Sequence, residues 1–210
     1  MSQVILYGHP ISTFVWIARL CLEEKGVDYQ LVELAPQSLR EEPHLSRHPF
    51  GRIPAFEHDD FKLYETDAVA RYVDDAFPGP ALQPADPRRR ARMNQVIGIH
   101  DSYGAPALGG GIVFNRRVAP LIGFPIDEAA VAAAVPQAAL CLKEWERLLG
   151  EQTFFTGDQI SLADLWVLPL VYNLKRTPEG ATLLPQFPHL SAWLARMEQR
   201  DSVKKTAALP

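Results

Sequence analysis

At 210 residues, 47% of them hydrophobic and 22% charged, the chain has the makeup of an ordinary globular protein with room for one large core or two smaller ones. Its net charge of -4 comes from signs mixed along the sequence, which gives no electrostatic reason to expect nucleic acid or an anionic membrane as partner and favours a small molecule. No apolar run is long enough to span a bilayer, the N-terminus lacks a signal-peptide pattern, and Cys21 and Cys141 sit in helical patterns without CxxC spacing. We therefore expect a cytoplasmic protein with inert thiols and no membrane attachment. The six histidines are read as lacking metal-ligand spacing, so no metal is expected.

Residues 3–8, QVILYG, read as a buried strand, and a helix follows from about Ser12 to Lys25, ended by Gly26. Tyr29 to Leu34 is a second strand, and Pro36 to Pro49 is irregular with at most one helical turn. The stretch HPFGRIPAFEHDDFKLYETDAVARYV then carries the most information. Pro54 cannot donate to a sheet ladder and fits a strand start or a turn, including a cis peptide after Ile53. Phe56 begins a strand, Asp59-Asp60 turn, and Phe61 to Tyr64 alternate as a half-buried strand. The triplet Glu65-Thr66-Asp67 opens a helix, where free N–H groups and the helix dipole attract an anion. Plain capping explains the triplet equally well when it is seen alone.

The order is thus βαβ followed by ββα, which predicts a thioredoxin-like α/β domain at 1–77 with a mixed four-stranded sheet and helices on both faces. PGPALQPADP, rich in proline, marks a linker at 78–87. From 88 to 210 the period is helical throughout, giving an all-α second domain. We expect helices over Arg88–Tyr103 and Asp127–Leu149, with a loop or kink at Gly109–Gly111 between them. Ser161 and Asp164 form a capping box before the apolar run LADLWVLPLVYNL, with Ile160 as its staple. A helix opened by Pro188 and a short one from Ser202 to Ala208 close the chain. Arg88 to Arg90 lack aromatic neighbours and read as a solvated face or an intersubunit contact.

Three blocks, YGHPIS, HPFGRIPAFEHDDFKLYETDAV and GDQISLADL, together resemble the glutathione S-transferases, and GGGIVFNRRVAPLIGFPIDE looks most like the phi class. The resemblance implies glutathione as co-substrate, bound between the two domains, with its thiolate added to small hydrophobic electrophiles. It implies Ser12 as the catalytic hydroxyl that stabilises the thiolate, with the adjacent Thr13 in second place. Seen alone, Ser12 is more simply a helix cap. Glutathione contacts carry over to Glu65 and Thr66 at the γ-glutamyl end and to the backbone of Ile53 at the cysteinyl amide. Arg40 and Arg52 stand where the glycine carboxylate is held, although the family pattern usually has His-Lys where this chain has Leu39-Arg40, and Gln or Lys where it has Arg52. Asp67 stands where Arg is common and sets a like charge near a carboxylate ligand.

Ile11, Tyr103 and Phe114 are implied for the electrophile pocket, the two aromatics being core residues by default. Phe50 matches the ring that plugs into a partner in homodimers, or else packs locally. Other readings stay open: a glutathione-dependent isomerase, whose Ser-Ser-Cys signature is missing around Ser12, a peroxidase, or a non-catalytic binder of glutathione or hydrophobic ligands.

Overall fold

The computed structural model describes residues 3–207. The chain divides into two compact units, one running to Leu82 and taking back the segment from Asp201, the other Gln83–Arg200.

The first unit is built on four strands, β1 (Val4–Gly8), β2 (Gln30–Glu33), β3 (Ala55–His58) and β4 (Phe61–Tyr64), in the order β2-β1-β3-β4. β1 pairs parallel with β2 and antiparallel with β3, and β3 pairs antiparallel with β4, so the sheet is mixed, as expected. Helix α1 (Thr13–Glu24) crosses between β1 and β2 and ends at Gly26, whose φ of 66° lets the Gly26 and Val27 N–H groups turn back to the carbonyls of Glu23 and Leu22. Helix α2 (Thr66–Ala76) follows β4. Asp59 takes up the hairpin turn at φ 54°, and its carboxylate accepts from the Gln3 N–H at 2.8 Å.

Strand alternation sends Phe56 and His58 to one face of the sheet, where Tyr72 of α2 meets both; its hydroxyl lies 2.8 Å from His58 Nδ1. Tyr7 and Glu57 point to the other face, covered by the turns after the 3-10 segment Pro36–Arg40. From those turns Arg47 stacks on the Tyr7 ring, 4.2 Å from its centroid. The second face therefore carries tight turns in place of a regular helix. One expectation fails in β4: Phe61 is 44% exposed on the edge strand beyond β3, with the Tyr72 ring 4.9 Å from its own.

The PGPALQPADP stretch is strapped to the first unit at its start. Buried Lys25 donates to Asp74 Oδ1 at 3.1 Å and to the Pro80 carbonyl, and Asp74 Oδ1 also accepts from the Leu82 N–H at 2.8 Å. The terminal helix α8 (Asp201–Thr206) returns to α1, where Trp16 Nε1 donates to Thr206 Oγ1 at 2.7 Å. Its expected last residue, Ala208, lies outside the described residues.

The second unit is helical. α3 (Pro87–Ile99) is capped by Asp86, α4 (Glu128–Leu149) by Asp127, and α5 (Leu162–Leu174) by a reciprocal capping box between Ser161 and Asp164. All thirteen residues of α5 are buried, as suits a helix apolar all round. Two further helices, α6 (Pro178–Leu183) and α7 (Pro188–Glu198), complete it; α6 was not foreseen. The expected break at Gly109–Gly111 is absent. α3 passes at His100 into a wider helix with i→i+5 bonding that runs unbroken to Val118. The glycines here supply room for close packing. A Cβ on Gly104 would stand 2.8 Å from the Trp145 ring, and one on Gly111 would overlap the Cβ of Ala134 on α4. Tyr103 and Phe114, core residues by default and pocket residues by resemblance, are 55% and 43% exposed on that wide helix, so the default fails.

Candidate functional site

The strand register decides which loops meet. Tyr7 pairs with Ala55, and Ala55 with Tyr64, so the chain leaving β1, entering β3 and leaving β4 lies at one end of the sheet. That end gathers the residues after Gly8, including Ile11, Ser12 and Thr13, together with Ile53-Pro54, Glu65 and Thr66. It also holds the N-termini of both α1 and α2, whose unpaired N–H groups and dipoles favour negative charge.

Ser12 is the N-cap of α1. Its Oγ accepts from the Val15 N–H at a long 3.4 Å, which leaves the hydroxyl proton free to donate elsewhere. Its own N–H donates to the His9 carbonyl at 3.0 Å, fixing the turn, while His9 Nδ1 accepts from the Ile11 N–H at 3.3 Å. Gly8 is required beside this turn, because a side chain there would collide with Val15. Thr13 is the first residue within the helix and caps nothing. Ser12 and Ile11 are both half-buried.

At α2 the residue in the capping position is Glu65, and its side chain makes no capping bond. It sits at φ 71°, a left-handed conformation that a non-glycine residue adopts only at a cost of about 1–3 kcal/mol. Thr66 is buried as the first helical residue. Asp67, which by sequence opposes a carboxylate ligand, is engaged with Arg71 one turn on, at 2.9 Å. The Ile53-Pro54 bond is cis. Arg52 and Arg40 are both exposed, and the Arg40 stem lies beside Gly51, the residue before Arg52, where an added Cβ would stand 3.3 Å from Arg40 Cγ. Arg40 thus lies beside the chain that enters this corner of the sheet end through Arg52.

Sequence reading passed over the segment that supports this corner. His44 and His48, in HLSRH, stand four apart, an H-x₃-H spacing that corrects the reading of the histidines as lacking metal-ligand spacing. Both are buried, at 1% and 2% exposure, with their ring centroids 6.2 Å apart. The His44 ring nitrogen Nε2 lies 2.8 Å from the Arg52 carbonyl, and the His48 ring lies 4.8 Å from that of Tyr64. Burial pushes the His48 imidazole below its ordinary value, partly offset by the charge of Glu65. The spacing of the pair was the available signal. Among the described residues no group of three or more His, Cys, Asp or Glu side chains is placed to hold a metal ion.

Phe50 is 70% exposed and rests edge-on against His48 and Tyr64, so the local-core reading fails for it. Tyr103 and Phe114 belong to the second unit, with Ile11 in the first.

Residues 2–75 match the glutathione S-transferase N-terminal domain family, and residues 128–196 match the glutathione S-transferase C-terminal domain family. The chain is 32% identical over 208 residues to glutathione S-transferase F7 of Arabidopsis thaliana, covering 98% of this chain and 99% of that one. Its fold is similar to the crystal structure of glutathione transferase F7 from Populus trichocarpa, with a TM-score of 0.88 at 32% identity over 97% of each chain. It is similar also to a structure of glutathione S-transferase-I bound with the ligand lactoylglutathione, with a TM-score of 0.88 at 29% identity, covering 99% of this chain and 100% of that one. With relatives this similar along almost their whole length, this chain belongs to the glutathione S-transferases.

Proposed function

We propose that this protein is a serine-type glutathione transferase of the phi class, joining the glutathione thiolate to small hydrophobic electrophiles. The observation that carries the reading is the Ser12 hydroxyl at the N-terminus of α1, on the same sheet end as the strained Glu65 and the uncapped α2. A free thiol has a pKa of about 8.5, so only a few per cent is thiolate at pH 7. Lowering it by about two units needs about 2.7 kcal/mol of preferential stabilisation of the anion. A hydroxyl donor with its proton uncommitted, set in the positive end of a helix dipole, supplies stabilisation of that kind.

In this reading the α-carboxylate of the γ-glutamyl group takes the N–H groups of Thr66 and Asp67 while Glu65 accepts from its ammonium. The backbone of Ile53 pairs with the cysteinyl amide as an added strand would, and Arg40 and Arg52 take the glycine carboxylate. Ile11, Tyr103 and Phe114 offer apolar surface to the electrophile, and the exposed Phe50 ring is the key of a homodimer. The protein works as a cytoplasmic detoxifying enzyme.

The test is retention on immobilised glutathione together with turnover of an activated aromatic halide. Ser12→Ala should keep retention and lose turnover by about 25-fold at pH 7, the fall in thiolate fraction when a two-unit shift from about 8.5 is undone. Undiminished turnover in that variant refutes the serine mechanism, and retention by the wild type without turnover points to a binding protein.

A further inference from the structure

We propose that His44 is a positioning residue for glutathione, holding the Arg52–Ile53 backbone in place through a hydrogen bond to the Arg52 carbonyl. The inference rests on the glutathione reading above and adds a residue that touches no ligand. A carbonyl oxygen only accepts, so the 2.8 Å contact requires His44 to carry its proton on Nε2. The other ring nitrogen, Nδ1, is buried without a hydrogen-bond partner. An imidazole kept at 1% exposure with half of its polar atoms unpaired is costly, and a hydrophobic side chain would fill the same place without that cost. The arrangement is explained if the Nε2–H bond is what the position is for.

The geometry around the histidine shows how the bond transmits position. His44 begins a tight turn in which its carbonyl accepts from the N–H groups of Arg47 at 2.8 Å and His48 at 2.9 Å. Arg47 lies over Tyr7 of β1 and within 3.6 Å of Glu57 of β3, and the His48 ring lies on Tyr64 at the end of β4. The turn is thus fixed to three strands of the sheet, and His44 is the arm that reaches from it to Arg52. Arg52 itself is exposed, precedes the half-buried Ile53, and has no strand partner of its own. Without His44 the Arg52 carbonyl loses its side-chain anchor and the Gly51 N–H bond to the His48 carbonyl, at 2.9 Å, is left to tie the segment to the turn, so the edge that pairs with the cysteinyl amide and the direction of the Arg52 side chain both loosen. A loosened edge weakens ground-state and transition-state binding of glutathione alike, which raises KM and leaves kcat in place.

The experiment compares His44→Phe, which fills the site without a donor, with His44→Gln, whose amide nitrogen supplies an N–H at similar reach. The KM for glutathione should rise about tenfold in His44→Phe, the loss of one net hydrogen bond, with kcat at saturating glutathione within about threefold and KM for the halide unmoved. His44→Gln should recover most of the loss. Nitrogen NMR of the wild-type histidines should find His44 in the Nε2–H tautomer. A folded His44→Phe with unchanged KM, a His44→Gln as impaired as His44→Phe, or an Nδ1–H tautomer each overturns the proposal. Should His44→Phe fail to fold, the glutamine variant and the tautomer decide. If the wild type itself neither binds nor turns over glutathione, the functional reading fails and the positioning role falls with it, while the tautomer still reports the local bond.

Discussion

Truncating Asp164 to alanine is the perturbation whose cost the structure defines best. The carboxylate is fully buried and accepts four hydrogen bonds, from the N–H of Phe155 at 3.1 Å, the N–H and Oγ of Ser161 at 2.9 Å each, and Trp193 Nε1 at 2.9 Å. Alanine leaves three N–H donors buried and unpaired, and at about 1–3 kcal/mol each the loss is about 3–9 kcal/mol, a large share of the stability of a typical domain. Burial also pushes the Asp164 carboxyl up to about 6, against the donors that favour its charged form. A folded-state pKa raised above the unfolded value of about 3.9 stabilises the protein fully below pH 4, and that contribution is lost as pH rises through 6. The protonated form fits because Ser161 Oγ can reverse its bond and accept. Alanine has no such titration, so the stability gap between wild type and Asp164→Ala should be wider at pH 4.5 than at pH 7.5, by about 2 kcal/mol. Urea unfolding followed by tryptophan fluorescence across that range measures it. A gap that instead grows above pH 6 would mean that the four donors outweigh burial and would refute the reasoning.

Gly111→Val should cost about 1–3 kcal/mol by overpacking, since its Cβ would overlap that of Ala134; an unchanged urea midpoint would show that the wide helix can move away from α4. Lys25→Met removes the cation beside the buried Asp74 carboxylate, which keeps the Leu82 N–H, and should cost about 3–5 kcal/mol, with the double variant Lys25→Met/Asp74→Leu recovering part of the loss. The same comparison run on Tm checks whether the pair or its single partners set the effect. Ser12→Ala should lower stability by no more than about 1 kcal/mol, because the capping bond it removes is long. A larger loss would mix unfolding into the kinetic test of Ser12.

Features governed by a few neighbouring residues were legible in the sequence. The Asp59-Asp60 hairpin, the Gly26 stop and the Ser161–Asp164 box each depend on local backbone chemistry, and each stands where the pattern put it. The glycine triplet was misread because the two uses of glycine look alike in a sequence. One is freedom of φ, which breaks a helix, and the other is a missing Cβ, which lets a second helix approach; only the partners Leu170 of Gly109 and Ala134 of Gly111 tell them apart. The outward placement of Tyr103 and Phe114 and the exposure of Phe61 likewise turn on what packs opposite, which periodicity does not encode. The HLSRH spacing could single out His44 but not its bond, because its partner is a backbone carbonyl eight residues on and no side-chain pattern announces it.

The site end of the sheet follows from topology more than from any single residue. In the order β2-β1-β3-β4, the helices that follow β1 and β4 must both begin at the end where β3 enters, so two positive dipole ends meet there whatever the side chains are. Glutathione carries two carboxylates and one ammonium, and ionising its thiol adds a third negative centre. In the proposed reading two helix N-termini serve the thiolate and one carboxylate, and the remaining carboxylate needs side-chain cations, for which Arg40 and Arg52 are the proposed pair. The ammonium needs the reverse charge, and Glu65 is an acidic side chain held by a strained backbone at that end. Asp67 would upset this balance if its charge were free, but Arg71 neutralises it within the helix. Removing Arg71 should therefore weaken glutathione binding without touching it, and Arg71→Gln combined with Asp67→Asn should restore it. Equal affinity in Arg71→Gln and wild type at low salt, where such charges are least screened, would show that Asp67 exerts no field on the ligand.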